Sequence, residues 1–193
     1  MRIKLIALVS GMLTIFSWAI FHQFSKKEAL PVKLKLYALL APTQLAHETQ
    51  NTFEAAHHHD YDVIIERQSN TPSAFAQKVE TMLTAIKENW GSIFMYCELN
   101  ENTTVPQREA ILKALEHTDL VLEQSQHPTH SFIACRANKR TLQLWQTIKH
   151  MMDEHPDLQS QDYLNQVLYN NKIAKLRWDY VPSSQTSQTE PLA

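Results

Sequence analysis

Glycine is almost missing from this chain: 2 among 193 residues, Gly11 and Gly91. Phosphate loops of the GxGxxG or GxxxxGK(S/T) type need several glycines in one short turn, so both are excluded outright. Cysteine is equally scarce, with 2 residues, Cys97 and Cys135. That excludes a disulfide-rich scaffold and any four-cysteine zinc site. Both cysteines lie in apolar runs, where a free thiol is usually buried and inert; a single disulfide between them stays open. There is no surplus of positive charge. Lys and Arg number 18 against 20 Asp and Glu, for a net charge of -2 and a pI near 6.5, so no nucleic-acid partner is expected. No HExxH segment and no internal repeat occur.

The two ends differ from the middle in kind. Arg2 and Lys4 precede residues 5–21, a chargeless apolar stretch, and Lys26 and Lys27 follow it. At about 17 residues it reaches the lower edge of a membrane span. Residues 1–30 are therefore expected to be a short cytoplasmic flank and a single-pass signal-anchor, with the domain on the non-cytoplasmic side. A cleaved signal peptide is the competing reading, for which Ser17-Trp18-Ala19 is a poor cleavage site. Residues 183–193, rich in Ser, Thr and Gln, read as a disordered tail. The working domain is then residues 31–182.

Within it, apolar period and punctuation alternate between strand and helix. Val32 to Leu40 alternates and then turns wholly apolar before Pro42, as a strand entering a core does. Thr43 to Ala56 reads as a helix and Tyr61 to Ile65 as a short buried strand. Ser73 caps a helix whose Phe75, Val79, Met82, Leu83, Ile86 and Trp90 share one face, and Gly91 stands where a left-handed residue is needed. Ser92 to Cys97 has no polar alternation, which predicts a central strand covered on both faces. Pro106 suits the first turn of a helix reaching about His117. Leu120–Leu122 and Phe132–Cys135 read as short strands. Asn138 caps a helix with Leu142, Trp145, Ile148 and Met152 on one face, Ser160 caps another carrying Tyr163, Leu164, Val167 and Leu168, and Ala174 to Tyr180 alternates as a last strand. This order predicts an α/β sandwich with a mostly parallel central sheet. Ligands of such sheets bind beyond the carboxyl ends of the strands, where the strand order reverses. Glu98-Leu99-Asn100 stands at one of those ends.

The segments Ala85-Ile-Lys-Glu-Asn-Trp-Gly-Ser-Ile-Phe-Met-Tyr96, Asp119-Leu-Val-Leu-Glu-Gln124, Phe132 to Thr141 with Leu142-x-Leu-Trp145, and Gln161-Asp-Tyr-Leu-Asn165 occur in an order and spacing that resemble the nucleotide-diphospho-sugar transferase family, glycosyltransferases of the GT-A fold. The resemblance runs through most of residues 32–182. It implies a GT-A-like, Rossmann-like domain that moves a sugar from a nucleotide-diphospho-sugar donor to a hydroxyl acceptor, assisted by a divalent cation, Mn²⁺ or Mg²⁺. It also implies roles for residues: Thr43, Lys78 and Tyr96 against the nucleotide-sugar, Glu98 and Asn100 on the cation, and Gln161 and Asp162 in the sugar pocket as the catalytic pair. The chemistry explains the demand, since hard cations take oxygen ligands and act as Lewis acids on a departing diphosphate.

The chain departs from the family at named positions. Glu98-Leu99-Asn100 replaces an Asp-x-Asp motif, leaving one carboxylate and one amide oxygen. Ser160 replaces the Asp of an Asp-Gln pair, and the family's closing segment with a metal-binding His has no counterpart. A second reading follows, a catalytically inactive GT-A-like binding module. The simpler readings are a solvated turn for Glu98 and Asn100, first-turn helix polarity for Gln161 and Asp162, and a solvated helix lysine for Lys78. His57-His-His-Asp60 reads as an exposed loop without metal spacing, and His150 with Glu154 as an exposed i, i+4 pair.

Overall fold

A computed structural model describes residues 33–42, 46–69, 73–100, 103, 105–124, 131–155 and 160–182, the side chains of 160–162 excepted. The expected membrane anchor, the tail and Thr43 lie outside the described residues. Among the described residues no helix is long and apolar enough to cross a membrane.

The elements follow the chain as β1 (Leu34–Leu40), α1 (Ala46–His57), β2 (Tyr61–Arg67), α2 (Ala74–Glu88), β3 (Ile93–Leu99), α3 (Arg108–Leu115), β4 (Leu120–Gln124), β5 (Phe132–Arg136), α4 (Lys139–Glu154), α5 (Ser160–Tyr169) and β6 (Trp178–Pro182). The strands form one six-stranded sheet in the order β2-β1-β3-β5-β4-β6. β1 runs parallel to β2 and β3, and β4 parallel to β6. β5 is antiparallel to both of its neighbours. The fold is thus α/β with a mostly parallel mixed sheet, as the alternation of elements implied. The antiparallel strand was not foreseen: only a few residues join β4 to β5, too few for a parallel crossover.

Two apolar layers clothe the sheet, and strand alternation assigns them. Tyr37, Leu39, Phe94, Tyr96, Leu120, Leu122 and Ile133 face one way, against Val79, Met82 and Ile86 of α2, Trp145 and Ile148 of α4, and Val167 of α5. Leu36, Ala38, Leu40, Met95, Cys97 and Val121 face the other way, against Phe53 of α1 and Ile111 and Leu115 of α3. β3 has neighbours on both sides and is buried almost throughout, which is why it shows no polar alternation. Each fully buried Leu, Ile or Phe contributes about 1.5–3 kcal/mol of apolar transfer. The two cysteines fall in opposite layers, free and buried, so a disulfide between them is excluded by the pleat.

Local signals place the helices. Ser73 caps α2 by accepting from the Ala76 amide, and Gly91 takes φ +82 beyond its end. Asn138 and Thr141 form a reciprocal capping box at α4. Several expectations need correction. Pro106 precedes α3 rather than opening it, since that helix starts at Arg108 with Gln107 as its N-cap. Trp90 lies beyond α2 and is 57% exposed, because the helix has ended at Glu88. The buried face of α4 is Thr141, Leu144, Trp145, Ile148 and Met151, with Leu142 and Met152 only partly buried beside it. The last strand begins at Trp178 rather than Ala174, because Lys175 adopts φ 62 and breaks the extended run.

Candidate functional site

β1 carries β2 on one side and β3 on the other, so the strand order reverses between β1 and β3. Their carboxyl ends meet where Leu40 pairs with Leu99 and the Ala41 amide donates to the Leu99 carbonyl at 3.2 Å. Glu98-Leu99-Asn100 lies at this reversal, as the sequence implied. The turn after β3 is closed by one side chain: the Thr103 hydroxyl donates to the Glu98 carbonyl at 2.8 Å and accepts from the Asn100 amide at 2.7 Å.

Three of the expected site residues come together on the α2 side of the sheet. Glu98 shares the strand face of Tyr96 and points toward α2. Lys78, one turn beyond Phe75, reaches down from that helix and donates to Glu98 Oε1 at 2.8 Å. Its side chain is only 5% exposed, against 40% for Glu98. The ammonium also stands 5.3 Å from the centroid of the Tyr96 ring, within range of a cation–π attraction. Tyr96 itself is fully buried; burial first, then the neighbouring Glu98 charge, pushes its phenol well above its ordinary value. Among the described residues its hydroxyl has no hydrogen-bond partner. The reading of Lys78 as a solvated helix lysine is therefore wrong. Sequence period places Lys78 beside a core position, but only the pairing of α2 with β3 shows its acid.

α5 approaches the same side: Tyr163 stacks on Phe75 with centroids 6.2 Å apart and rings inclined by 15°. Gln161 and Asp162 lie in the first turn of α5, with their side chains outside the described residues. Asn100 lies just past the end of β3. There a cavity of about 350 Å³ lies against α1, lined by Glu48, Thr49, Thr52, Phe53, Ala56, His57, Leu99, Asn100 and Thr103. Its Phe53, Ala56 and Leu99 give an apolar floor, and the hydroxyls, Glu48 and Asn100 a polar rim. The sequence reading missed this cavity, because α1 has a weak apolar stripe with Phe53 as its buried residue. His57 belongs to α1 rather than to a loop; its ring packs on Phe53 at 4.5 Å, and burial lowers its basicity despite the nearby Asp60.

Among the described residues, the ligand set that the resemblance implies for a divalent cation is not gathered. Glu98 already gives one oxygen to an ammonium, and Asn100 lines the cavity against α1. Among the described residues no group of three or more His, Cys, Asp and Glu could hold a metal. A dication at roughly 5 Å from the ammonium would be repelled by about 7 kcal/mol at an effective dielectric constant near 20, before solvent screening.

A second polar cluster lies at the opposite edge of the sheet. Asp119 is fully buried and accepts from Arg140 Nε at 2.8 Å, Asn138 Nδ2 at 2.9 Å and the Arg177 amide at 3.1 Å. Burial raises its carboxyl, but these donors outweigh that and hold it below the ordinary value. The cluster ties β4 to the cap of α4 and the entry of β6. It sits at the amino ends of the parallel strands, away from the Lys78–Glu98 pair.

The sequence matches no family model, and no curated protein matches it.

Proposed function

We propose that the chain is a GT-A-like, glycosyltransferase-like protein that takes a nucleotide-diphospho-sugar at the carboxyl edge of β1 and β3 and transfers the sugar to a hydroxyl acceptor. The observation that carries the reading is the gathering of Lys78, Tyr96 and Glu98 at the reversal of strand order, where α/β sheets bind ligands. In such a transfer the bond between the sugar and the diphosphate breaks, and the departing nucleoside diphosphate gains charge. Positive groups fixed in place before the reaction stabilise that charge most effectively. Gln161 and Asp162 would face the sugar from the amino end of α5, and Thr43 would meet the nucleotide after β1. The cavity beside Asn100 is of a size that suits a nucleoside. Residues 5–21 would hold the protein on a membrane, with the domain on the non-cytoplasmic side.

Calorimetric titration of the purified chain with UDP and GDP tests the reading. Saturable binding of either is the expected result, and silence with both overturns it.

The second reading, an inactive GT-A-like binding module, is favoured by one observation: the strand-end acid that should serve the reaction is ion-paired to Lys78. Donor hydrolysis above background separates the two. The module would bind nucleotide and release no sugar; the transferase would release it.

A further inference from the structure

We infer that the ammonium of Lys78 replaces the divalent cation, so that this site meets a diphosphate without metal. The inference rests on the proposed nucleotide-sugar reading and names how that site handles charge. Three observations support it. Lys78 is bonded to Glu98 at the end of β3, at 2.8 Å. Its side chain is 5% exposed, and an ammonium is taken out of water only where a counter-charge holds it. The Tyr96 ring beside it, 5.3 Å away at the centroid, presents a further electron-rich surface.

The pair behaves as a latch. Glu98 is the more exposed partner, at 40%, and can swing away into water. The four-carbon stem of lysine lets the ammonium turn to a new acceptor. A diphosphate oxygen arriving at the strand end competes with Glu98 Oε1 for the ammonium, and the released carboxylate is hydrated. Capping of α2 by Ser73 places the positive end of the helix dipole on the same side, where it adds to the attraction. Nothing covalent changes; one ion pair is exchanged for another.

This gives Glu98 a role opposite in sign to that of a metal ligand. As a ligand, Glu98 would be required for binding. As the resident counter-ion of Lys78, it competes with the incoming anion.

The test is titration of the full chain with UDP, GDP and inorganic pyrophosphate, in EDTA and again with Mn²⁺. The expected result is binding in EDTA that Mn²⁺ changes little. Lys78→Met should weaken all three by about tenfold or more, Lys78→Arg should keep most of the affinity, and Glu98→Gln should raise it. Binding only with Mn²⁺, or its loss in Glu98→Gln, overturns the inference while the nucleotide-sugar reading stands. Lys78-dependent binding of pyrophosphate with no preference for nucleotides upholds the inference and removes that reading. No binding of any of the three removes both. The comparison of EDTA with Mn²⁺ uses the unaltered protein, so the decision does not depend on how well a variant folds.

Discussion

Replacing Asp119 by alanine should destabilise the domain by about 3 kcal/mol. The carboxylate is fully buried and accepts from Arg140, Asn138 and the Arg177 amide. Removing one partner of a buried pair costs about 3–5 kcal/mol, because the remaining charge loses its compensation. Arg140 is 39% exposed and can turn to water, which argues for the lower end. The Arg177 amide loses its side-chain acceptor as well, at a cost nearer that of an ordinary hydrogen bond, about 0.5–1.5 kcal/mol. Urea unfolding followed by circular dichroism should show an earlier midpoint at unchanged slope. For a chain of this size the loss corresponds to a melting point lower by about 6–12 °C. The acid limb adds an independent check. The folded carboxyl titrates below its ordinary value, so its contribution is fully present above about pH 4 and lost as pH falls through the folded value. The variant should lack that part of the acid transition. A shift below about 1 kcal/mol, with the acid limb unchanged, would refute the reasoning that this cluster braces the amino edge of the sheet.

Tyr96→Phe should leave stability unchanged or raise it by about 1 kcal/mol, since the hydroxyl it removes is buried with no partner among the described residues; a clear loss in thermal unfolding would mean that the hydroxyl is bonded. Neither thiol should react with a disulfide reagent until the chain unfolds. Burial pushes Cys135 up to about 12 and raises Cys97 as well, so rapid labelling of the native chain would contradict the packing of both strands. Gly91→Ala should cost about 1–2 kcal/mol through backbone strain alone, because φ is +82 while nothing stands within 4 Å of an added Cβ. A neutral result in urea unfolding would show that this turn relaxes.

The elements were legible where local chemistry agreed with period. Ser73, Asn138 and Gly91 punctuate helices through bonds and dihedrals that depend on a few neighbouring residues. The apolar run of β3 announced a covered strand because both of its faces are core. Long-range facts were not legible. That β5 runs against its neighbours depends on the short link from β4. That Lys78 meets Glu98, 20 positions away, depends on how α2 lies across β3. Asp119 reads in sequence as one acid before a strand, and its donors come from α4 and the approach to β6. The cavity beside α1 escaped notice because its wall is mixed: Phe53 and Leu99 alternate with Thr49, Thr52 and Asn100, a pattern shared with any half-exposed helix.

Glu98 and Asn100 are two positions apart, but β3 ends between them, at Leu99. Residues two apart on a strand share a face, and that rule is what made an acidic pair at this spacing plausible. It holds only while the backbone stays extended. β3 ends at Leu99, and the Thr103 hydroxyl then draws the Glu98 carbonyl and the Asn100 amide into one tight turn. Glu98 keeps the strand's direction and meets α2, whereas Asn100 lies past the strand and lines the cavity beside α1. The strand end therefore carries two different features: the Lys78–Glu98 ion pair against α2, and a mixed polar and apolar cavity beside α1. A ligand with a charged diphosphate at one end and a flat, hydroxylated group at the other would use both by lying across the edge between them.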